Sequence, residues 1–543
     1  MSGSVEPVLV VGGGPVGLAL AGDLGWRGIS CLLVEQSDGS IYQPRMDLVG
    51  VRTMEFCRRW GLVPAVEASP YPRDYAQDNV YLTSLTGHEL GRERFPGIGQ
   101  APPPPQSPQR RERCPQNMFD PILRAFAASQ PTVTLRYRTR LLSLAQDSEH
   151  VTAVVENTET GAREEISARC IVGCDGARST VRETLGIAMR GNPVLTYTTN
   201  VIFRCPRLLS LHDKGKAYRH IFIGPEGTWS TIVAINGRDE WRFSIIGGAQ
   251  QREYTTEEIE AAIRRAVGCD FDFEILSELP WVRRELVAER YRNGRGFIAG
   301  DAAHVMSPTG GFGMNTGIGD VIDLSWKLAA VLEGWGGDAL LDSYSIERQP
   351  VGVRNVAEAS SNLRRMLGVG AHPDLLDPTP QGAATRDRVG REFSETMRRE
   401  WFTLGIHLGY HYEGSPICWP DGTAAPPNNA NTYAPTARPG HRAPHAWMAD
   451  GRSTLDLFGR GFALLGFGTD ADEAAPLLAA ARKRKVPMTF HEIVEPQIGA
   501  LYERKFVLVR PDGHVAWRDD RMPPDADRLI DVVRGAFIGG KMA

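Results

Sequence analysis

Val8-Leu9-Val10-Val11-Gly12-Gly13-Gly14-Pro15-Val16-Gly17 runs an apolar strand into a glycine-rich turn and the start of a helix. Each glycine has its own task. Gly12 turns the chain sharply off the strand, Gly14 leaves room for a pyrophosphate against the backbone, and Gly17 lets the helix pack closely on the sheet. Pro15 and Val16 open that helix, whose unpaired N–H groups and partial positive charge favour phosphate. Ile29 to Val34 reads as the next parallel strand, and Glu35, followed by Gln36, falls about twenty residues past the glycines, where an acid accepts hydrogen bonds from an adenosine ribose. An acid there favours free ribose hydroxyls over a 2′-phosphate. The strand before and the acid after separate this pattern from a tight turn ahead of a buried helix.

The chain has 543 residues, long enough for a large buried core and several domains. Its 61 Lys and Arg against 65 Asp and Glu set up no global positive field, so neither nucleic acid nor a membrane is expected as a partner. The first apolar stretch is broken by glycines and Asp23 and has no cation before Arg27, so it reads neither as a signal peptide nor as a span. A cytoplasmic protein is expected. The eight cysteines are scattered, and the closest pair, Cys170 and Cys174, lacks C-x-x-C spacing and any second His or Cys pair. They read as reduced structural thiols, with no metal site.

Helices are predicted over 52–62 and 119–129 and strands over 133–137, 151–156 and 165–174, while proline-dense 97–114 reads equally as a linker or as a lid over a pocket. Strict alternation between Thr196 and Ile246, as in Arg219-His220-Ile221-Phe222-Ile223 and Trp241-Arg242-Phe243-Ser244-Ile245, marks a separate antiparallel sheet. A buried strand returns at 296–301, a long helix follows from Met314 to Leu332, and 350–405 is helical with charged faces. Pro, Asn, Ala and Gly dominate 418–444, a linker composition, before a small α/β unit with a strand at 462–465, a helix at 473–483 and a hairpin across Pro511-Asp512-Gly513. The division that follows assigns 1–78, 105–190 and 285–417 to a dinucleotide-binding domain with its helices. Segments 79–104 and 191–284 form a substrate domain, and 418–543 the linker and C-terminal domain.

Two further motifs carry chemistry. The first is Val172-Gly173-Cys174-Asp175-Gly176-Ala177-Arg178-Ser179; the second is Gly296-Phe297-Ile298-Ala299-Gly300-Asp301-Ala302-Ala303-His304, continuing through Pro308-Thr309-Gly310-Gly311-Phe312-Gly313-Met314-Asn315. Both set an aspartate at the end of a buried strand beside a glycine turn, where ligands bind in open α/β sheets. The second also feeds a glycine loop into a helix, so that N–H groups around Gly311, Gly313, Met314 and Asn315 face an anionic ring oxygen. His304, at the end of that strand, reads as structural or as a cofactor neighbour rather than a general base.

At these residues the chain resembles the single-component, class A FAD-dependent aromatic hydroxylases, with the fold of para-hydroxybenzoate hydroxylase. Pro44-Arg45, Arg52-Thr53-Met54-Glu55, Cys114-Pro115-Gln116 and Tyr344-Ser345-Ile346-Glu347-Arg348-Gln349-Pro350 match in order. Tyr412-Glu413-Gly414-Ser415-Pro416, Arg438-Pro439-Gly440-His441-Arg442-Ala443-Pro444-His445 and Val509-Arg510-Pro511-Asp512-Gly513 resemble the phenol and 2,4-dichlorophenol hydroxylase branch. The resemblance implies an α/β protein: a Rossmann-like FAD domain, an antiparallel β-sheet substrate domain and a C-terminal thioredoxin-like domain. It implies FAD as cofactor and NADPH or NADH as a transient reductant, since only one dinucleotide fingerprint is present. It also implies that Asp301 meets the ribityl or pyrophosphate region, that Arg45 and Gln116 contact FAD, and that Asp175 and Gly176 serve both FAD and NAD(P)H. No cysteine occurs in 419–543, so the last domain has no thiol chemistry, leaving packing or homodimerisation as its role.

By the same resemblance the reduced flavin and O₂ form a C4a-hydroperoxide that hydroxylates a small phenolic substrate, ortho to a hydroxyl. A phenol has a pKa near 10, so a base or acceptor at its hydroxyl speeds the attack. Asp47 stands where the phenol hydroxylases that this chain resembles carry an active-site aspartate and is expected to fill that catalytic role, with a solvated loop acid or a helix cap before Arg52 as the alternative. Pro308 and Gly310 are expected to wall the pocket, with His220, Trp229 and Trp241 as lining candidates whose facing alternation alone does not decide. A flavin-dependent halogenase and a non-catalytic flavoprotein ligand carrier are the alternatives; the halogenase Trp-x-Trp-x-Ile-Pro signature is absent.

Overall fold

Val8, Leu9 and Val10 are fully buried in the strand Glu6–Val11, which sits between two parallel neighbours, Arg163–Gly173 and Cys31–Val34. Strands covered on both faces read as continuous apolar runs, and each such Val or Leu contributes roughly 1.5–3 kcal/mol on burial. The sheet continues to Gly296–Ile298 and Arg292–Asn293 on one side and to Val133–Arg136 on the other. An antiparallel pair, Thr139–Gln146 and Val151–Asn157, extends the Arg163–Gly173 strand. The computed structural model describes residues 5–537; the outermost domain limits, at 1 and 543, lie outside them.

A second eight-stranded sheet runs in the order His304–Val305, Glu274–Ala288, Met189–Arg204, Glu240–Ile246, Gly227–Ala234, Arg219–Gly224, Asn79–Leu82, Glu89–Glu93. Alternation sends Val201, Phe203, Phe222, Ile232 and Phe243 into one core. Thr198, Asn200, Thr231, Arg242 and Ser244 face the other way, into a cavity shared with the first sheet.

The C-terminal sheet is ordered Met488–Ile493, Phe462–Phe467, Phe506–Val509, Val515–Asp519, with the first pair parallel and the rest antiparallel. With the helices Ala471–Lys483, Pro496–Tyr502 and Ala526–Val533 this is the thioredoxin-like arrangement. All eight cysteines are unbonded, and among the described residues no helix is long and apolar enough to cross a membrane.

Two local expectations change. The helical stretch 350–405 is two helices, Ala339–Leu367 and Pro380–Trp401, with a break around residues 368–379. The proline-rich segment 418–444 has a linker's composition but is packed as a strap. Its backbone bonds the C-terminal hairpin through Trp419 N to Ala516 O, Gly440 N to Val515 O and Ala443 N to Gly513 O. Its Arg442 is buried against Glu55, Nε to Oε2 3.0 Å. Proline and glycine removed regular structure there without removing the partners for its polar groups.

Behind the strap lies a fully buried ionic junction. The helix Gly313–Leu332 supplies Asp323 and Lys327, Ala339–Leu367 supplies Glu347, and the end of the C-terminal hairpin supplies Arg510 and Asp512. Arg510 reaches Glu347 at 2.5 Å, Asp512 at 2.7 Å and Asp323 at 2.9 Å, while Lys327 reaches Asp323 at 2.7 Å.

Candidate active site

One cavity of about 510 Å³ opens where the C-terminal ends of the parallel strands meet the polar face of the second sheet. At its dinucleotide end, Gly12 has φ +109°, and a Cβ there would run into the carbonyl of Cys174. A Cβ on Gly17 would overlap the carbonyl of Gly12, so Gly17 serves packing and does not line the cavity. Beside Gly14 a Cβ would meet nothing within 4 Å, which is the open cradle a phosphate needs. Gly12, Gly14, Pro15, Val16, Glu35 and Gln36 all line this end, and no side chain caps the helix Pro15–Trp26 that opens there. Glu35 Oε2 accepts from Gly13 N at 2.7 Å, so the acid is held across the turn at the cavity edge.

Further along, Asp301 is exposed to the cavity with no side-chain hydrogen bond among the described residues. Asp175 lines the same wall, but its oxygens accept from Ser179 Oγ and Val181 N and brace the turn that presents Gly176. Gln116 Oε1 accepts from Arg45 N at 3.1 Å, which fixes the backbone of the Arg45 loop, and the Arg45 guanidinium lies over Trp281 at 5.6 Å. Gly311, Gly313 and Met314 surround the N-terminus of the helix Gly313–Leu332, which has no side-chain cap and no acid in its first turn. Asn315 is in the first turn of that helix; its side-chain amide accepts from Gly50 N and Thr53 Oγ1 and donates to Leu48 O and Gly311 O, so the side chain staples two loops and leaves the backbone N–H as its contribution to the helix N-terminus. Two uncapped helix N-termini, an unpartnered carboxylate and an open glycine cradle in one cavity suit a group with a pyrophosphate, a polyhydroxy chain and an anionic ring, which is the chemistry of FAD.

His304 is fully buried with Nε2 2.7 Å from Asp320, away from the cavity lining. Asp120, behind Gln116, receives Gln116 Nε2 on one oxygen at 3.1 Å and, among the described residues, has no partner for the other; burial pushes it up to about 7. A carboxyl raised on folding holds its proton where the unfolded chain has lost it. Stability therefore falls as pH rises from about 4 to about 7 and stays lowered above. Asp120→Asn is expected to melt several degrees above the wild type at pH 8 and to match it near pH 4, as read by thermal unfolding at both pH values.

Asp47 is buried in the cavity wall as the centre of a cluster. Arg113 Nη1 donates to its Oδ1 at 2.6 Å, the Tyr218 hydroxyl donates to its Oδ2 at 2.7 Å, and Arg242 Nη2 stands 3.6 Å from the same oxygen. Burial alone would push the carboxyl up, but the two guanidiniums and the tyrosine outweigh it and hold Asp47 below the usual carboxylate range. The Arg113 guanidinium also lies 3.5 Å over the Tyr218 ring. Pro308 and Gly310 wall the cavity nearby, and the proline-dense excursion contributes Arg111 and Arg113 to its lining rather than serving as a mere connector.

His220 and Trp229 do not reach the cavity. His220 pairs with Ile232 on the apolar face, 6.0 Å from the His212 ring, and burial pushes it down to about 3. Trp229 is the extra residue of a β-bulge, because Phe222 pairs with Ser230 but Ile223 with Thr228; the slip turns its ring onto Phe222 and Phe243. Trp241 is buried in the same core. Alternation left the facing of these strands open, and the sequence reading did not single out Tyr218, Arg219, Arg242 and Arg283, which line the cavity. The available signal was arginine at alternate positions of otherwise buried strands.

A family description, FAD binding domain, matches residues 6–359, and a second, Aromatic-ring hydroxylase, C-terminal, matches 436–538. A putative polyketide hydroxylase of Streptomyces halstedii is 35% identical over 95% of this chain and 94% of its own length. A 4-methyl-5-nitrocatechol 5-monooxygenase of Burkholderia sp. is 32% identical over 98% and 97%. The solved structure of the rebeccamycin biosynthetic enzyme RebC with reduced flavin superposes with a TM-score of 0.91 at 40% identity, covering 98% of this chain and 99% of that one.

Proposed function

The chain belongs to the FAD-dependent aromatic-ring hydroxylases, and on that premise we propose that it uses NADH or NADPH and O₂ to hydroxylate a phenolic ring ortho to an existing hydroxyl. FAD, when bound, supplies the electrons taken from the nicotinamide and the activated oxygen. Asp301, Arg45, Gln116 and the glycines at 12 and 14 would hold it, with the N-terminus of Gly313–Leu332 at its ring.

The observation that carries this reading is the Asp47–Tyr218–Arg113 cluster in the cavity wall. Tyr218 spends its own hydrogen on Asp47, so its oxygen is left to accept the proton of a substrate hydroxyl. A carboxylate held this low does not strip a phenol in the ground state. It strengthens the hydrogen bond as the ring gives up electrons and the hydroxyl becomes acidic, the usual role of a positioned acceptor. Arg113, bonded to Asp47 and stacked on Tyr218, keeps the pair aligned while the proton shifts. A ring carrying a nitro or halogen group at the attacked position would release it as nitrite or halide after the same oxygen transfer, with the ring left as a quinone, and the nitrocatechol relative lends that variant support.

Anaerobic mixing of the FAD-loaded protein with NADH and NADPH, with and without a panel of phenols, followed by ¹⁸O₂, tests the reading. A phenol that accelerates flavin reduction and gains one labelled oxygen is the expected result. Reoxidation to peroxide alone across the panel would rule hydroxylation out. Tyr218→Phe is expected to cut product formation about 10- to 100-fold with flavin reduction little changed.

A further inference from the structure

Asp301 and the N-terminus of the helix Gly313–Leu332 reach the cavity from separate elements, and a cofactor held by both needs them at one fixed separation. Asp301 stands on the short turn Gly300–Ala302, where Gly300 has φ +61°. With no hydrogen bond of its own among the described residues, its carboxyl is placed by the backbone of that turn. The helix holds the turn from behind. Asp320, fully buried, accepts from Gly300 N on Oδ2 at 3.2 Å and from Arg348 Nε on Oδ1 at 2.9 Å, with His304 Nε2 2.7 Å from Oδ2. Arg348 bends back onto the same helix, its Nη2 donating to Thr316 O at 3.1 Å. The backbones also touch, since a Cβ on Gly317 would stand 2.9 Å from Gly300 Cα. Tyr410 and Tyr412, both buried, keep water from the Arg348 guanidinium, which lies 5.0 Å over the first ring and donates to the second hydroxyl at 3.5 Å. Neither Asp320 nor Arg348 lines the cavity.

An acid in the first turn would cancel the charge that the helix end offers an anionic ring. Asp320 lies about 10 Å along the axis, past that turn, and has Arg348 as its counter-ion. Burial alone would push its carboxyl up, but His304 and Arg348 outweigh it and hold Asp320 below the usual carboxylate range, so both oxygens accept throughout the neutral range. A carboxylate accepting a backbone N–H makes one of the stronger hydrogen bonds, and in a dry interior it fixes where that backbone sits. We propose that Asp320 is a positioning residue for FAD: by holding Gly300 N from inside the helix Gly313–Leu332, it sets the separation between Asp301, which accepts from the ribityl hydroxyls, and the helix N-terminus, which faces the ring. The inference needs FAD but not the hydroxylation reading, so it stands or falls on cofactor binding alone.

The test starts from the FAD-loaded protein and separates the two halves of the cofactor. FAD affinity is read from the fluorescence of flavin released on dilution, and ADP affinity from the concentration of ADP that displaces FAD. ADP fills the cradle at Gly14 and reaches Glu35 but has neither ribityl chain nor ring. Asp320→Asn is nearly isosteric yet has one acceptor oxygen in place of two, so its amide nitrogen is set against either Gly300 N–H or Arg348 Nε, donor against donor. FAD is expected to bind about tenfold or more weaker, the effect of one charge-assisted hydrogen bond, while ADP affinity stays within about twofold. A general loosening would weaken FAD and ADP alike; that result, or an unchanged FAD affinity, would overturn the proposal. If the asparagine variant does not fold, hydrogen exchange on the wild type decides. With ADP in place of FAD, the amides of 299–302 are expected to stay protected, because Asp320 and not the cofactor holds the turn. Rapid exchange there until FAD is restored would overturn the proposal.

Discussion

Arg510→Met is expected to lower the stability of the protein by about 3–5 kcal/mol, the cost of stripping one partner from a buried ionic group. The substitution leaves Asp323 and Glu347 with Lys327 and strips Asp512 of its guanidinium, in a junction where all of these side chains are at most 2% exposed. Met replaces the volume of the side chain but none of its bonds to Glu347, Asp323 and Asp512. Because the junction joins two helices of the FAD domain to the C-terminal hairpin, the C-terminal domain is expected to detach before the rest melts. A new, lower transition in tryptophan fluorescence would report it, since Trp326 lies beside the Arg510 guanidinium at 5.3 Å. Glu347→Gln in the same background should recover part of the loss by removing one orphaned charge. Arg58→Ala, which breaks the part-exposed pair with Asp456, is expected to cost under about 1 kcal/mol and calibrates the comparison. A single transition unchanged in Arg510→Met would show that apolar packing alone holds the domains together.

Asp47→Asn is expected to cut hydroxylation about 10²- to 10⁴-fold, the range for a positioned proton acceptor. The amide fills the same space but cannot neutralise Arg113 and Arg242, and it no longer draws the Tyr218 proton as charge develops. Flavin reduction by NADH or NADPH is expected to stay within a few-fold, so the lost product should reappear as peroxide. A pH profile separates this role from that of an ordinary base. The wild-type carboxyl is held below its usual value, so its contribution is present throughout the neutral range and is lost only as pH falls below about 4. An acidic limb near pH 6 to 7 assigned to Asp47 would contradict the cluster, and full product yield in Asp47→Asn would remove Asp47 from the reaction.

The dinucleotide turn was legible in the sequence because its parts are local. The strand, Gly12, Gly14, the helix start and Glu35 interact within a single β-α-β unit, so spacing carries the geometry. The thioredoxin-like domain was legible as a resemblance, and its lack of cysteine followed from reading the chain. The faces of the substrate sheet were not. His220 and Trp229 are lining candidates by sequence only because alternation leaves the inward face undecided. One bulge at Trp229 was enough to turn that ring inward, and a register slip leaves no mark on the alternation of the neighbouring residues.

Asn315 divides the same way: its backbone place at the helix start is local, whereas its side-chain amide is engaged by Gly50 and Thr53, from more than 250 residues earlier. Residue spacing therefore decided the cofactor end, where backbone geometry does the binding and a few adjacent positions suffice. Tertiary folding alone decided the substrate end. There Asp47, Arg113, Tyr218 and Arg242 come from four distant segments, and the carboxyl is held low by the guanidiniums that the fold brings within its reach.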